Sequence, residues 1–308
     1  MSLDWLVPVI LTIITAATPL VFAAVGETVV ERSGVLNLGV EGMMIMGAIG
    51  AFATAISTGS GMLGVLAGAA AGALLALIFG ILTVYLQSNQ VATGLALTIF
   101  GLGLSALMGH TYVGKPFAGL PRLDIPGLTT LPVVGPILFG QDGLVYLSVA
   151  SVLLVSVFLN RTRAGLLVRA VGENHDAAHS IGYSVTLIRM AAILFGGAMA
   201  GLGGAYLSLA YTPMWIENMT AGRGWIALAL VVFASWKPWR AFFGAYLFGG
   251  ITIVQLYAQG MGVEVSAQFL SMLPYLATVI VLVIISRDTT RARLNAPACL
   301  GKNFHASG

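Results

Sequence analysis

Charge is scarce in this sequence. Only 8% of the 308 residues are Asp, Glu, Lys or Arg, against about 25% in an ordinary soluble domain. The few charges are also clustered. None falls between Glu41 and Lys115, and charge-free runs separate Asp4 from Glu27, Asp142 from Arg161, Arg189 from Glu217, Arg240 from Glu264, and Glu264 from Arg287. One soluble core cannot hide that many apolar runs of helix length, so a soluble enzyme is excluded. A net charge of +3, spread between apolar runs, is no nucleic-acid footprint. The single cysteine, Cys299, excludes an internal disulfide and a Cys-rich metal site. No phosphate-binding G-x-x-x-x-G-K-[ST] loop occurs: Lys115 and Lys302 follow glycines but precede Pro116 and Asn303. ATP hydrolysis by this chain is therefore not expected. No H-E-x-x-H or Cys/His pair suggests a metal.

Hydrophobic residues make up 58% of the chain, and the composition predicts an all-α polytopic membrane bundle. Nine apolar segments stand out, at about 5–25, 42–58, 62–86, 91–109, 142–159, 190–211, 224–236, 241–259 and 268–286, an expectation of about 8–10 spans. The segment 224–236 is short enough for a half-helix. The first has no Lys or Arg before it and is longer than a signal-peptide core, so a retained span is expected.

Eleven basic residues (Arg32, Arg161, Arg163, Arg169, Arg189, Lys237, Arg240, Arg287, Arg291, Arg293 and Lys302) fall in one set of loops, and Lys115, Arg122 and Arg223 in the other. The first set is expected to face the cytoplasm. Residues 1–288 then form the transmembrane domain and 289–308 a polar cytoplasmic tail carrying Cys299. The external loop 110–141, with five prolines, reads equally as an extended linker or as a docking lip for an outside partner. Small residues recur every four positions at Gly64, Gly68 and Gly72, and at Gly196, Ala200 and Gly204, the spacing that lets helices approach closely in lipid.

The long cytoplasmic loop 160–189 is the most informative stretch. Asn174 is a suitable N-cap, Asp176 suits the positive end of a helix dipole, and Gly182 is a natural left-handed stop. A short helix over 174–181 would place Ala177, Ala178 and Ile181 on one small face. Such a helix fits a groove on a soluble partner, or rests on lipid headgroups.

Asp176-Ala177-Ala178-x-x-x-Gly182 resembles the E-A-A-x-x-x-G coupling loop of ABC importer permeases. The wider pattern of Arg169, Gly172, Glu173, Asn174, Ala177, Ala178 and Gly182 resembles its form in the branched-chain amino acid, simple-sugar and nucleoside permease family. Two other stretches agree: Glu31-Arg32-Ser33-Gly34 with Asn37-Leu38-Gly39-Val40-Glu41-Gly42-Met43, and Gly222-Arg223-Gly224-Trp225-Ile226-Ala227-Leu228-Ala229. The resemblance covers about residues 15–285 and leans to the nucleoside-type subgroup. His175, His179 and Tyr183 depart from that subgroup's usual residues, which bears on the identity of the ATPase partner.

The resemblance implies a permease subunit in a bacterial inner membrane, paired with a second, identical or related permease. It implies cytoplasmic ABC ATPase subunits docked at 173–182, which carry the ATP and Mg, and an external solute-binding protein or lipoprotein. This chain would bind no cofactor itself. The solute would be a nucleoside or simple sugar; a branched-chain amino acid permease is the alternative within the family, and a stand-alone channel or secondary carrier the alternative outside it. Glycine-interrupted segments in both halves, around Gly34 to Gly42 and Gly222 to Gly224, point to the pathway. Ser33, Asn37 and Thr93 would offer hydrogen bonds there and Phe100 and Phe195 flat apolar surface. Glu41, four residues from Asn37, would share its face if the stretch were helical.

Overall fold

A computed structural model describes residues 6–123, 126–129, 131, 133–260 and 295–305, with scattered helical positions between 269 and 283. The expected span 268–286 lies largely outside the described residues, as do the basic positions Arg287, Arg291 and Arg293.

Eleven helices follow one another among the described residues: α1 (Leu6–Arg32), α2 (Val40–Thr58), α3 (Gly61–Gly80), α4 (Gln90–Gly109), α5 (Val134–Phe139), α6 (Gly143–Arg161), α7 (Arg163–Glu173), α8 (His175–Ser180), α9 (Val185–Tyr206), α10 (Arg223–Phe233) and α11 (Pro238–Gly260). Extended structure in the described part is limited to isolated bridges. Among the described residues, seven helices are long and apolar enough to cross a membrane. This is an all-α polytopic membrane bundle. Both α3 and α9 end in a five-residue π-helical turn, Ile81–Tyr85 and Leu207–Tyr211.

α1 is longer than its apolar pattern predicts. The first apolar segment suggests an end near Val25. Instead Glu27 and Glu31 are each only 1% exposed, and the helix continues through them to Arg32. Gly34, with φ +86°, then turns the chain out of the helix.

The centre of the bundle is α1, α2, α3 and α9, which share the most extensive contacts. Glycine sets their spacing. A Cβ at Gly204 would collide with the Met44 carbonyl of α2, and one at Gly72 with the Gly197 carbonyl of α9. The predicted row Gly196, Ala200, Gly204 faces α1 and α2. A second row one residue on, Gly197 and Gly201, meets Gly72 and Gly68 of α3. α9 thus has two small faces and serves three neighbours. Without a hydrophobic drive between helices in lipid, such contacts give the packing its energy. α4 leans on α2, α11 on α1, and α6 leads into α7.

The loop 110–141 folds back on the bundle. Phe117 N donates to the Pro213 carbonyl (3.0 Å) and Leu120 N to the Leu209 carbonyl (3.1 Å), and Val113 bridges Trp215. Its later part carries the short helix α5.

Candidate functional site

Two broken segments meet inside the bundle. The first is residues 33–39, between α1 and α2. Leu36 N donates to Gln90 Oε1 (2.8 Å) at the start of α4, while the Leu38 carbonyl accepts from Thr98 Oγ1 (3.0 Å), two turns further along α4. The non-helical chain therefore runs beside the first two turns of α4 before α2 begins. Gly94 permits this, since a Cβ there would stand 2.8 Å from Leu38 N. Irregular backbone at such depth is tolerated only inside protein or along a watery cavity. Ser33 and Asn37 are fully buried here. Ser33 Oγ donates to the Val30 carbonyl (2.6 Å), and Asn37 Oδ1 accepts from Gly39 N (2.9 Å).

The second broken segment precedes α10, and Glu41 joins the two. Its Oε1 accepts from Thr220 Oγ1 (2.5 Å) and Gly222 N (2.8 Å), and its Oε2 from Gly224 N (2.6 Å). Glu41 is 2% exposed. A carboxylate from α2 thus caps the N-terminus of α10, where unpaired N–H groups and the helix dipole favour negative charge. Gly222 adopts φ +83°, and Gly224 lies so close to the Glu41 backbone that a Cβ would come within 2.5 Å of its Cα. Those are the physical reasons for both glycines around Arg223. Arg223 itself turns away: it donates to the Met219 carbonyl (3.0 Å) and lies 5.3 Å from the centre of the Tyr211 ring. At the other end of α10, Trp236 Nε1 donates to Glu31 Oε2 (2.5 Å). α10 is therefore held at both ends by carboxylates that flank the α1–α2 break.

The sequence reading missed part of this arrangement. Glu27, one turn before Glu31, is buried and faces Asn37, with no hydrogen bond of good geometry to either carboxylate oxygen. Two acids four apart at the end of an apolar helix were its signal, since they share a face. Thr220 and Trp236 carried no pattern that marks them. Of the other expected pathway residues, Thr93 sits in the first turn of α4 with its hydroxyl 2.8 Å from Ser88 Oγ. Phe100 is half exposed on α4. Phe195 lines an open apolar cavity of about 550 Å³ between α1, α6, α7 and α9.

The loop 160–189 folds into α7 and α8. Asn174 caps α8, its Oδ1 accepting from Ala177 N (2.9 Å). Gly182 takes φ +94° and donates to the His179 carbonyl (2.9 Å). Asp176, Ala177, Ile181 and Tyr183 are exposed. The expected common face of Ala177, Ala178 and Ile181 divides, however. Ala178 is 4% exposed and packs with Val171, Val185 and Phe304, while Ile181 lies beyond the helix end and is 72% exposed. Gly172 is buried, because a Cβ there would collide with the Arg32 carbonyl. Glu173 is exposed, and Arg169 is partly buried with its Nε unpaired.

These features define a class: a polytopic bundle with two broken segments joined inside it, and a short capped helix presented at the basic end. The chain belongs to the family described as branched-chain amino acid transport system / permease component, which matches residues 9–285. It is 40% identical, over 95% of both chains, to a Haloferax volcanii protein named "Putative glucose ABC transporter permease protein". It is 32% identical to a nucleoside ABC transporter permease of Lactococcus lactis, over 86% of this chain and 88% of that one. A guanosine ABC transporter permease of Bacillus subtilis is 31% identical, over 89% and 92%. No solved structure matches the chain. The protein is a multi-pass membrane permease of the ABC transporter type.

Proposed function

We propose that this chain is the membrane-spanning subunit of an ATP-driven importer of nucleosides or simple sugars. The observation that carries the reading is α8: a capped helix that exposes Asp176, Ala177 and Ile181 while its other side is packed against its own chain. Two ABC ATPase subunits, which carry ATP and Mg, dock on these exposed residues, one for each of two permease subunits. An external binding protein, a lipoprotein in the nucleoside-type case, delivers the solute. The basic end of the bundle, with Arg32, Arg161, Arg163, Arg169, Arg189, Lys237, Arg240 and Lys302, faces the cytoplasm by the excess of Lys and Arg there.

In this mechanism ATP binding draws the ATPases together and moves α8, and the bundle changes which side is open. Ser33 and Asn37 belong to the pathway through the break they occupy, and Glu41, at the start of α2, belongs to it by fixing α10 against α2. The scarcity of free charge there suits a neutral, hydrogen-bonding solute better than a zwitterionic amino acid. The sugar and nucleoside names of the relatives support the same class.

The test is Ile181→Arg, which sets a charge on the exposed docking surface. The permease is expected to insert normally but to lose co-purifying ATPase. Normal co-purification would remove the docking assignment. Calorimetry of the external binding protein with guanosine, glucose and leucine decides the solute class; binding of leucine alone would overturn it.

A further inference from the structure

Residues 295–305 lie at the basic end of the bundle and are woven into it. Cys299 N donates to the Gly172 carbonyl (2.8 Å) and Gly301 N to the Gly34 carbonyl (3.1 Å). Asn303 Nδ2 donates to the Gln87 carbonyl (2.6 Å), and Gln87 Nε2 to the Phe304 carbonyl (3.0 Å). Gln90 reaches both ways: its Nε2 donates to Asn303 Oδ1 (3.2 Å) and its Oε1 accepts from Leu36 N (2.8 Å). Eleven residues thus tie the end of α7, the α1–α2 break and the α3–α4 turn together.

The same segment forms the back wall of α8. Phe304 is 8% exposed and packs on Ala178, Val171 and Val185, with its ring 5.4 Å from that of His175 and 5.2 Å from that of His179. Arg189 completes the joint. Its Nε donates to the Ser33 carbonyl (3.2 Å), its Nη1 to the Lys302 carbonyl (2.9 Å), and its Nη2 pairs with His175 Nδ1 (3.0 Å). One buried guanidinium therefore holds the break, the segment and α8. A helix of six residues has too few internal hydrogen bonds to be stable alone. Its position is set by what packs behind it.

We propose that residues 295–305 are a positioning strap, with Arg189 and Phe304 as its key residues, which passes displacement of α8 to the α1–α2 break. This deepens, and rests on, the reading of α8 as the ATPase-docking helix. Without the strap, movement of α8 would be absorbed by the turns at 174 and 181–184. With it, α8 and residues 33–34 share a rigid joint of directional hydrogen bonds, and the break also carries Asn37 and leads into Glu41.

Two thiol measurements on the assembled permease–ATPase complex test the strap. Cys299, 8% exposed, is expected to react slowly with a maleimide, and about tenfold or more faster in Phe304→Ala, the scale set by losing a buried ring. In a Cys299→Ser background, a Leu38→Cys reporter on the break is expected to change labelling rate by about threefold or more when Mg-ATP and vanadate are trapped. That response is expected to vanish in Phe304→Ala and Asn303→Ala while the ATPase still co-purifies. Asn303→Ala removes only the bonds to Gln87, Ser88 and Gln90, so it decides the matter if Phe304→Ala fails to assemble. The proposal is overturned if Cys299 reacts like a free thiol in the unmodified complex, if Leu38→Cys never responds to nucleotide, or if both variants keep the response. Failure of Ile181→Arg to release the ATPase would instead remove the docking reading, so the two failures are distinguishable.

Discussion

Glu41 shows how one side chain can govern a junction between helices. Two backbone N–H groups and a hydroxyl converge on its two oxygens. Glu41→Gln keeps the shape but turns one acceptor into a donor facing an N–H group. A hydrogen bond to a charged partner contributes about 1.5–3 kcal/mol, so amide protection over residues 222–227 is expected to drop about ten- to hundredfold. Hydrogen exchange with mass spectrometry measures this, and unchanged protection would show that the cap is dispensable. His175 sets a pH dependence at the strap. Burial lowers its pKa, Arg189 lowers it further, Asp176 opposes, and Lys302 and His305 add to the lowering; His179 lies against the same Phe304 ring. Because the folded value is depressed, protonation favours the released strap. Docking is therefore strongest above the unfolded value of about 6.5 and weakens as pH falls through the folded one. The labelling rate of Cys299, divided by that of free glutathione at the same pH, is expected to rise on acidification. A flat ratio would rule out this dependence.

Among the helices, close packing and open surface separate cleanly by glycine. Gly204→Ala drives a methyl group into the Met44 carbonyl, whereas nothing lies within 4 Å of a Cβ at Gly103 on α4. Gly204→Ala is expected to cost about 1–3 kcal/mol or more, because backbone cannot yield as a rotamer can. Gly103→Ala is expected to be neutral or to gain up to about 1 kcal/mol of helix propensity. Thermal aggregation of the purified permease compares them; equal midpoints would mean that α9 does not lock against α2. The described spans were legible in the sequence because a bilayer demands about 20 apolar residues in a row. The glycine row of α9 was legible for the same kind of reason, although its second face was not. The end of α1 was misread because Glu27 and Glu31 are charged types that here lie inside protein. The cap at Asn174 and the stop at Gly182 follow from local chemistry and were readable. Ala178 was assigned to the outer face because its partner, Phe304, is remote in sequence and no local rule joins them. Arg189 was read as an orientation signal, while its guanidinium is occupied by carbonyls and an imidazole brought together only by the fold.

At the scale of the whole molecule, orientation becomes a direct test. In a Cys299→Ser background, Ile181→Cys is expected to react with an impermeant thiol reagent in inverted vesicles and not in intact cells, and Lys115→Cys the reverse. The opposite pattern would invert the topology. The glycine contacts have a further bearing on motion. Where helices touch backbone to backbone, a slide of one turn would bring carbonyls against Cα atoms, with no flexible side chains to take up the difference. α1, α2, α3 and α9 therefore form a stator, and α4 is pinned to it where Gly101 meets Gly42. α6 faces α1 and α9 across the apolar cavity around Phe195. Spin labels at Leu74 and Leu95 should keep their separation through the ATP cycle, while one at Leu153 on α6 should move against both. On that division, the stroke of the transporter is expected to be a swing of α6 against a fixed block, pivoting where Gly172 of α7 abuts the Arg32 carbonyl of α1.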